Sequence, residues 1–538
     1  MTYFNEFGQA RLGWRTSAGG GGSTIDADAQ AFITAASITD TTQQSAINTL
    51  VTQLKTYGIW TKMKALYPFV GGTASSHKWN LKDPRDLDAA YRLVFNGGWT
   101  HSTTGAKPNG TTAYADTKLT ADLLTSSNHL SYYSRTSSTT GIATEIGMYN
   151  NLPTGIILQI RSAVNYVSGQ VQSTVNYTTT GSALGFWIGS KRSSTDREVY
   201  LNNSSQATST TADTNVLNPV NLYIGARNNG GIGAQQLSSK ESAFASIGDG
   251  LTDTEAANFY TAVQTFQTTL GRQVGVPIVA DTDAQAFLNA AVITDQTQAN
   301  AVNTLVTSLK SANIWNKMKA IYPFVGGTAA SHKFNLKDPR DVDAAYRLVF
   351  AGGWTHSATG ALPNGTNGYA DTKLNTSFNL SVNNTHTSIY CTNNITSLSS
   401  YPSFGANSNS SSSFYTSLKS SSNLYYQFIG SEGSLSYGTS YTNTDTRGFF
   451  LASRTNSTSL KSYKNDVFKN VTTLANTGTL PGVNYMYGVV GKSGGFDGAT
   501  FNNYLHSFAS IGDGLTDVEA TAFYNAVQAY QTTLGRQV

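Results

Sequence analysis

The chain contains most of itself twice. Residues 26–119 return as residues 281–374 at a constant offset of 255, and 72 of the 94 paired positions are identical. Residues 245–274 return as 509–538 at an offset of 264, so the second copy holds nine extra residues in its middle. Between the matched ends the copies have diverged almost beyond alignment. A sequence duplicated in this way must fold as two similar units, each a shared frame around its own centre. Recognition proteins are often built on a fixed frame with a variable insert.

Chains of this length usually divide into several domains. The duplication predicts an N-terminal arm and Gly-rich tether over 1–25, one domain over 26–274, a linker over 275–280, and a second domain over 281–538. Domains of about 250 residues bury ample core without covalent staples. Cys391 is the one cysteine, so no intramolecular disulfide forms, and it reads as a small buried apolar residue.

Only 12% of residues are charged and the net charge is +4. No Lys/Arg run is dense enough to track phosphates, which argues against nucleic acid as a partner. The 50 glycines and 29 tyrosines, among abundant Ser, Thr and Asn, fit many short strands joined by small polar turns. No apolar run reaches the length of a membrane span. The N-terminus lacks the pattern of a signal peptide.

Residues 1–17 carry Tyr3, Phe4, Phe7, Arg11, Trp14 and Arg15, followed by a run of four glycines. Such a segment cannot fold alone, and it has no counterpart before Asp281. It reads as an anchor docking into another subunit through a flexible tether. The alternative is a tail packed on its own first domain. The apolar residues Val276, Pro277, Ile278 and Val279 predict a linker that packs.

Each copy opens with helical spacing: Ile47, Leu50, Val51 and Leu54, then Val302, Leu305, Val306 and Leu309. Thr39 or Asp40 can cap the first of these helices, and Gly58 and Asn313 stand where left-handed C-terminal caps belong. A first strand is expected over 65–72. Further strands are expected over 92–95, 113–119, 129–135, 142–149, 154–160, 182–190, 198–202, 220–226 and 243–247. Thr252 and Glu255 form a capping box for a closing helix, with Phe259, Val263, Phe266 and Leu270 on its buried face. Regular spacing and period-2 stretches predict a mainly β architecture, two tandem antiparallel sandwiches framed by helices.

The run Phe244-Ala245-Ser246-Ile247-Gly248-Asp249-Gly250-Leu251-Thr252-Asp253-Thr254-Glu255, after the strand ending Leu222-Tyr223-Ile224-Gly225-Ala226, resembles the close of a concanavalin A-like or laminin G-like jelly roll. The whole frame, with Pro108-Asn109-Gly110-Thr111 and Tyr114-Ala115-Asp116-Thr117 and their copies after Pro363, resembles repeats in tail and surface proteins of tailed bacteriophages. The resemblance covers both copies and not the arm.

Asp83, Asp86 and Asp88, repeated as Asp338, Asp341 and Asp343, put three carboxylates within six residues, a set that suits Ca²⁺. The intervening Arg85 and the missing EF-hand glycine and glutamate favour a turn locked by Asp–Arg pairing. His77 and His101, repeated as His332 and His356, match no metal-site spacing and read as structural histidines in turns. Glycan hydrolysis needs two carboxylates across a bond. Glu145, Glu198 and Glu241 have no clear counterparts in the second copy, whose centre holds Glu432 alone among glutamates. A catalytic pair common to both domains is therefore not expected. The centres instead offer tyrosines among Ser, Asn and Gly, the composition of antibody combining loops. Tyr132, Tyr133, Trp187, Tyr390, Tyr425 and Tyr426 are the candidate ligand contacts; the alternative is that they fill strand faces.

What the resemblance implies is a non-enzymatic virion surface protein. The arm would contact other capsid or tail subunits, with head decoration favoured, and the two domains would hold host or environmental glycans. Cofactors are not expected. The competing readings are a purely structural virion component and a glycan depolymerase.

Overall fold

A computed structural model describes residues 25–137, 142–150, 155–160, 166–169, 176–178, 182–212, 217–230, 232–395, 403–409, 412–430 and 438–538. The arm residues Tyr3, Phe4, Phe7, Arg11, Trp14 and Arg15 lie outside these.

In the first half, helices α1 (Ala27–Ala35) and α2 (Thr41–Thr56) come first and α3 (Asp253–Thr269) comes last. Asp40, not Thr39, caps α2, accepting from the Gln43 amide. Ile47, Leu50, Val51 and Leu54 are fully buried, and Gly58 at φ +72° stops the turn. Asn313 takes the same left-handed position in the second half at φ +58°. Thr252 and Glu255 form the expected capping box on α3. Helices α4 (Thr282–Ala291), α5 (Gln296–Ser311) and α6 (Asp517–Thr533) repeat the arrangement.

The strands form two stacked sheets per half. The inner sheet of the first half has eight strands, running from Ser204–Ser209 through Asp196–Leu201, Gly185–Ser193, Asn128–Ser134 and Ser242–Gly248 to the hairpin Gly105–Pro108 and Trp99–Ser102, with Met63–Tyr67 also on Ser242–Gly248. The outer sheet runs Asn176–Thr178, Tyr166–Gly169, Gly155–Gln159, Ile146–Tyr149, Asn221–Ile224, Tyr114–Thr120 and Val94–Asn96. The second half repeats the inner order; its outer layer places Leu424–Ile429, Ser412–Ser417, Phe404–Asn409, Asn484–Tyr487 and Tyr369–Asn375 in the same succession, but the ladder is broken between Phe404–Asn409 and Asn484–Tyr487. This is the mainly β, tandem-sandwich class that the strand pattern predicts.

Two clusters of buried side chains show how the layers stack. One joins Ile47, Leu50, Phe259 and Phe266 of the helices to Tyr133, Phe186 and Phe244 of the inner sheet. The other joins Tyr132, Trp187 and Ile247 of that same sheet to Ile146, Leu158, Leu222 and Ile224 of the outer sheet. The inner sheet is therefore covered on both faces, by helices on one side and by the outer sheet on the other. The outer sheet buries only one of its faces in this stack. The second half carries the same pair of clusters.

Some expectations needed correction. The first strand ends at Tyr67, because Phe69 (φ 46°), Gly71 (φ +82°) and Gly72 (φ +77°) turn the chain. The hairpin at 99–108 was not foreseen; it is short and carries Gly and Pro. His101 lies in a strand of this hairpin and His356 in the strand Trp354–Ser357 of its counterpart in the second half, not in turns. The linker packs as expected: Val276 and Val279 lie against the second core, and the Val276 carbonyl accepts from Gln264 of α3 at 3.0 Å.

Candidate functional site

Five of the six aromatic candidates are core residues. Tyr132, Tyr133, Trp187 and Tyr390 are fully buried and Tyr425 is 1% exposed. The physical reason is the three-layer stack. Tyr132 and Tyr133 are consecutive, so they point to opposite faces of the inner sheet, and both faces are covered. Their polar ends are used internally. Tyr132 donates to the Lys240 carbonyl at 2.7 Å, and the Trp187 indole donates to the Ala183 carbonyl at 3.0 Å. Tyr133 accepts from the Val274 amide at 2.7 Å, as Tyr390 does from Val538 at 2.9 Å, so each clamps the end of its repeat. Tyr425 donates to Gln427 at 3.3 Å. Tyr426, the remaining candidate, is half-buried on the outward side of its strand.

The acidic clusters are ion-paired turns. Asp83 takes a two-point contact from Arg85, at 2.7 and 2.5 Å. Asp86 pairs with Lys78 and Arg92, and Asp88 with Arg92. Asp338, Asp341 and Asp343 repeat the pattern with Arg340, Lys333 and Arg347. The Arg85 guanidinium holds the Asp83 carboxyl below its usual range. Among the described residues, no group of three His, Cys, Asp or Glu side chains is placed to hold a metal ion.

His77 and His101 meet through their Nδ1 atoms at 2.9 Å, and His332 and His356 at 3.0 Å. One ring must donate and the other accept, so each pair is stable with both rings neutral. Burial, with the neighbouring His101 and Arg272, pushes His77 down to about 3. Burial also pushes the Cys391 thiol up to about 12, which keeps it inert. Glu198 and Asp253 converge on the Tyr200 hydroxyl, at 2.7 Å each, but Arg192 bridges both carboxylates. In the second half Lys461 stands at the position of Glu198, opposite Ser453, so this pair is not shared.

The outward face of the outer sheet collects a different set of residues. In the repeated stretch Tyr114-Ala115-Asp116-Thr117-Lys118, alternation sends Ala115 and Thr117 inward and Tyr114, Asp116 and Lys118 outward. Tyr114 stacks on Tyr223 of the neighbouring strand, with centroids 4.5 Å apart and planes at 23°. Beside them Asp116 accepts from Asn221 at 3.0 and 3.1 Å and pairs with Lys118 at 3.1 Å. Lys118 holds a left-handed φ of 58°, which lets its amide also reach Asp116, at 2.9 Å.

The second half keeps the polar group and changes the rings around it. Asp371 accepts from Asn484 at 3.2 Å and pairs with Lys373 at 3.0 Å, and Lys373 has φ 59°. Met486 stands where Tyr223 stands in the first half. Tyr369 instead meets Phe496, with centroids 5.0 Å apart, and Phe496 is 41% exposed. Further along the same face Tyr415 lies against Phe428 at 4.9 Å, beside Tyr426. In both halves a glycine occupies the centre of the face. A Cβ at Gly147 would lie 2.6 Å from Ile157, and one at Gly405 would lie 2.7 Å from the Cβ of Tyr415. Rings and a hydrogen-bonded Asp–Asn–Lys group thus share one side of the outer layer in both halves, with Tyr114, Tyr223 and Lys118 partly exposed and Asp116 largely buried among its partners. The sequence signal was the repeated Tyr-x-Asp-x-Lys alternation, which assigns those side chains to one strand face.

No family model matches the sequence, and no curated protein matches it. Similar solved structures exist. One is domain 4 of AbnA, an extracellular arabinanase from Geobacillus stearothermophilus, in complex with arabinotriose. It is 12% identical with a TM-score of 0.24, over 37% of this chain and 98% of that one. Another is the Trypanosoma rangeli sialidase in complex with 2,3-difluorosialic acid, 11% identical with a TM-score of 0.27, over 41% of this chain and 40% of the sialidase. The receptor-binding domain of a botulinum neurotoxin C/D mosaic serotype is 13% identical with a TM-score of 0.27, over 40% of this chain and 56% of that domain. At these identities and scores the likenesses assign no activity.

Proposed function

We propose that the chain is a non-catalytic carbohydrate-adhesion protein that contacts glycans through the outward faces of its two outer sheets. One observation carries the reading: each half presents partly exposed rings beside the same Asp–Asn–Lys group on the outward side of its outer layer. Aromatic planes stack on the apolar faces of sugar rings, and carboxylate, amide and ammonium groups bond the hydroxyls. The aromatic group differs between halves, so the two faces have different preferences. Two linked weak sites gain affinity by effective concentration, which repeated display on a particle multiplies. The phage-like frame supports placing the protein on the surface of a tailed-bacteriophage virion, held by the arm through Tyr3, Phe4, Phe7, Arg11, Trp14 and Arg15.

The test is retention of the full chain on immobilised polysaccharides. Tyr114→Ala with Tyr223→Ala is expected to remove part of the retention, as is Tyr369→Ala with Phe496→Ala. The quadruple variant is expected to lose it with an unchanged melting temperature. Wild-type protein that binds no glycan, or a quadruple variant that still binds, overturns the reading and leaves the purely structural one. Removal of residues 1–18 is expected to abolish incorporation into particles.

A further inference from the structure

Arg227 lies on a strand that exists in register beside the outer sheet of the first half. Its strand Arg227–Asn229 runs parallel to Ile146–Tyr149, with Asn228 opposite Met148 and Asn229 opposite Tyr149. The guanidinium carbon sits 4.5 Å from the centre of the Tyr149 ring. Among the described residues Arg227 has no hydrogen-bond or ion-pair partner for its side chain, and its Nε is buried and unsatisfied. Arg135 and Arg454 also keep buried unsatisfied guanidinium nitrogens, but each has at least one acceptor, Glu241 and the Ser457 carbonyl, where Arg227 has none. Arg85, Arg92, Arg192, Arg340, Arg347 and Arg447 all face carboxylates. A half-buried guanidinium without an acceptor loses hydration that its stacking on Tyr149 offsets only in part, and a ligand can supply the missing acceptor.

Its position says what kind of ligand. Tyr223, which stacks on Tyr114, lies opposite Gly147, and Tyr149 follows two residues later on the same strand face. Gly147 has no side chain, and Ile157 on the next strand covers its position, so the floor between the stacked tyrosines and the Tyr149–Arg227 pair is apolar. A ring resting on that floor would present a substituent toward the guanidinium. The fork of Arg bonds a carboxylate at two points, and its stacking on Tyr149 fixes the plane of that fork. The second half lacks the device: Val490, 1% exposed, stands at the position of Arg227, and Asn407 at that of Tyr149.

We infer that the first half holds a subsite for a sugar bearing a carboxylate, with Arg227 as its acid-binding group, and that the second half has no such subsite. The inference rests on the carbohydrate reading of the outer faces. The probes are polygalacturonate and its fully methyl-esterified form, which differ in the carboxylate alone, offered to the full chain at physiological salt. Wild type is expected to bind the acid form more tightly, by about tenfold, the worth of a charge-assisted contact. Arg227→Met is expected to abolish that preference. Lys107→Met, which removes the same charge from an exposed site on the inner sheet, is expected to keep it. Equal binding of both polymers by wild type, or a preference that survives Arg227→Met, overturns the subsite and leaves the carbohydrate reading standing. Failure of wild type to bind either polymer also overturns the subsite, while the carbohydrate reading falls only if the other polysaccharides fail as well.

Discussion

The Arg272 guanidinium donates to the carbonyl oxygen of Pro68, 204 residues earlier in the chain, at 2.6 Å. It is 2% exposed. Its other N–H groups reach Phe69, Thr103, Ala243 and the Gln267 side chain, so all five donors are used and none meets a carboxylate. Arg536 repeats this with Pro323, Phe324, Ala358, Ser507 and Gln531. Burial lowers Arg272 to about 9, still charged at neutral pH. Each arginine ties the end of its repeat to the turn after the first strand.

Replacing Arg272 by Met would leave several buried carbonyls without donors. The expected loss is about 3 kcal/mol or more in urea denaturation. Arg272→Lys should recover little, because three donors cannot reach five acceptors. A variant as stable as wild type would show that water replaces the guanidinium there.

The buried histidines predict how stability depends on pH. Burial holds His77 and His332 down to about 3 and His129, His386 and His506 down to about 4. Unfolded, each returns to the ordinary value near 6.5. The folded values lie below the unfolded one, so protons bind the unfolded chain more tightly. The neutral rings therefore contribute stability that is full above about pH 6.5 and falls as pH drops toward 4. Each group steepens that fall by up to about 1.4 kcal/mol per pH unit. Between pH 6.5 and 5 ordinary carboxylates remain ionised, so a drop in melting temperature there isolates the histidines. His129→Gln with His386→Gln should make it shallower, with His77, His332 and His506 keeping the rest; a wild-type melting temperature constant over this window would rule the account out.

How much of this was legible in the sequence depended on whether a residue's neighbours were local. The caps at Asp40, Gly58 and Thr252 and the helical stripe from Ile47 to Leu54 rest on contacts within a few residues, and the pattern locates them. The stacking of layers is not local. Alternation marks Tyr132 and Tyr133 as facing opposite ways but cannot show that both sides are covered. That is why the centre's tyrosines read as surface while the face that stays open was carried partly by the repeated frame, at Tyr114 and Tyr369. Arg227 was equally hidden, since its isolation from carboxylates is a property of three dimensions.

The closing helices show how the diverged centres keep the shared frame. Tyr200 bonds Asp253 at the start of α3 at 2.7 Å, and Tyr463 bonds Asp517 at the start of α6 at 2.6 Å. In the first half Glu198 adds a second carboxylate, with a side chain 8% exposed, and Arg192 neutralises both. In the second half Thr455 replaces Arg192 and Lys461 replaces Glu198, pairing with Asp517 directly at 2.6 Å. A shallow depression of about 350 Å³ is lined by Thr455, Lys461, Asp517 and Val518. Arg192→Thr alone would leave Glu198 and Asp253 facing each other without a cation, and should cost the first half about 1–2 kcal/mol; the Asp253 contact is exposed and counts for little of this. Adding Glu198→Lys recreates the arrangement of the second half and should restore stability. The measurement is urea denaturation of the full chain, with each variant read against wild type. If the double variant is no more stable than Arg192→Thr alone, the two residues do not compensate each other and the charge swap is incidental to the fold.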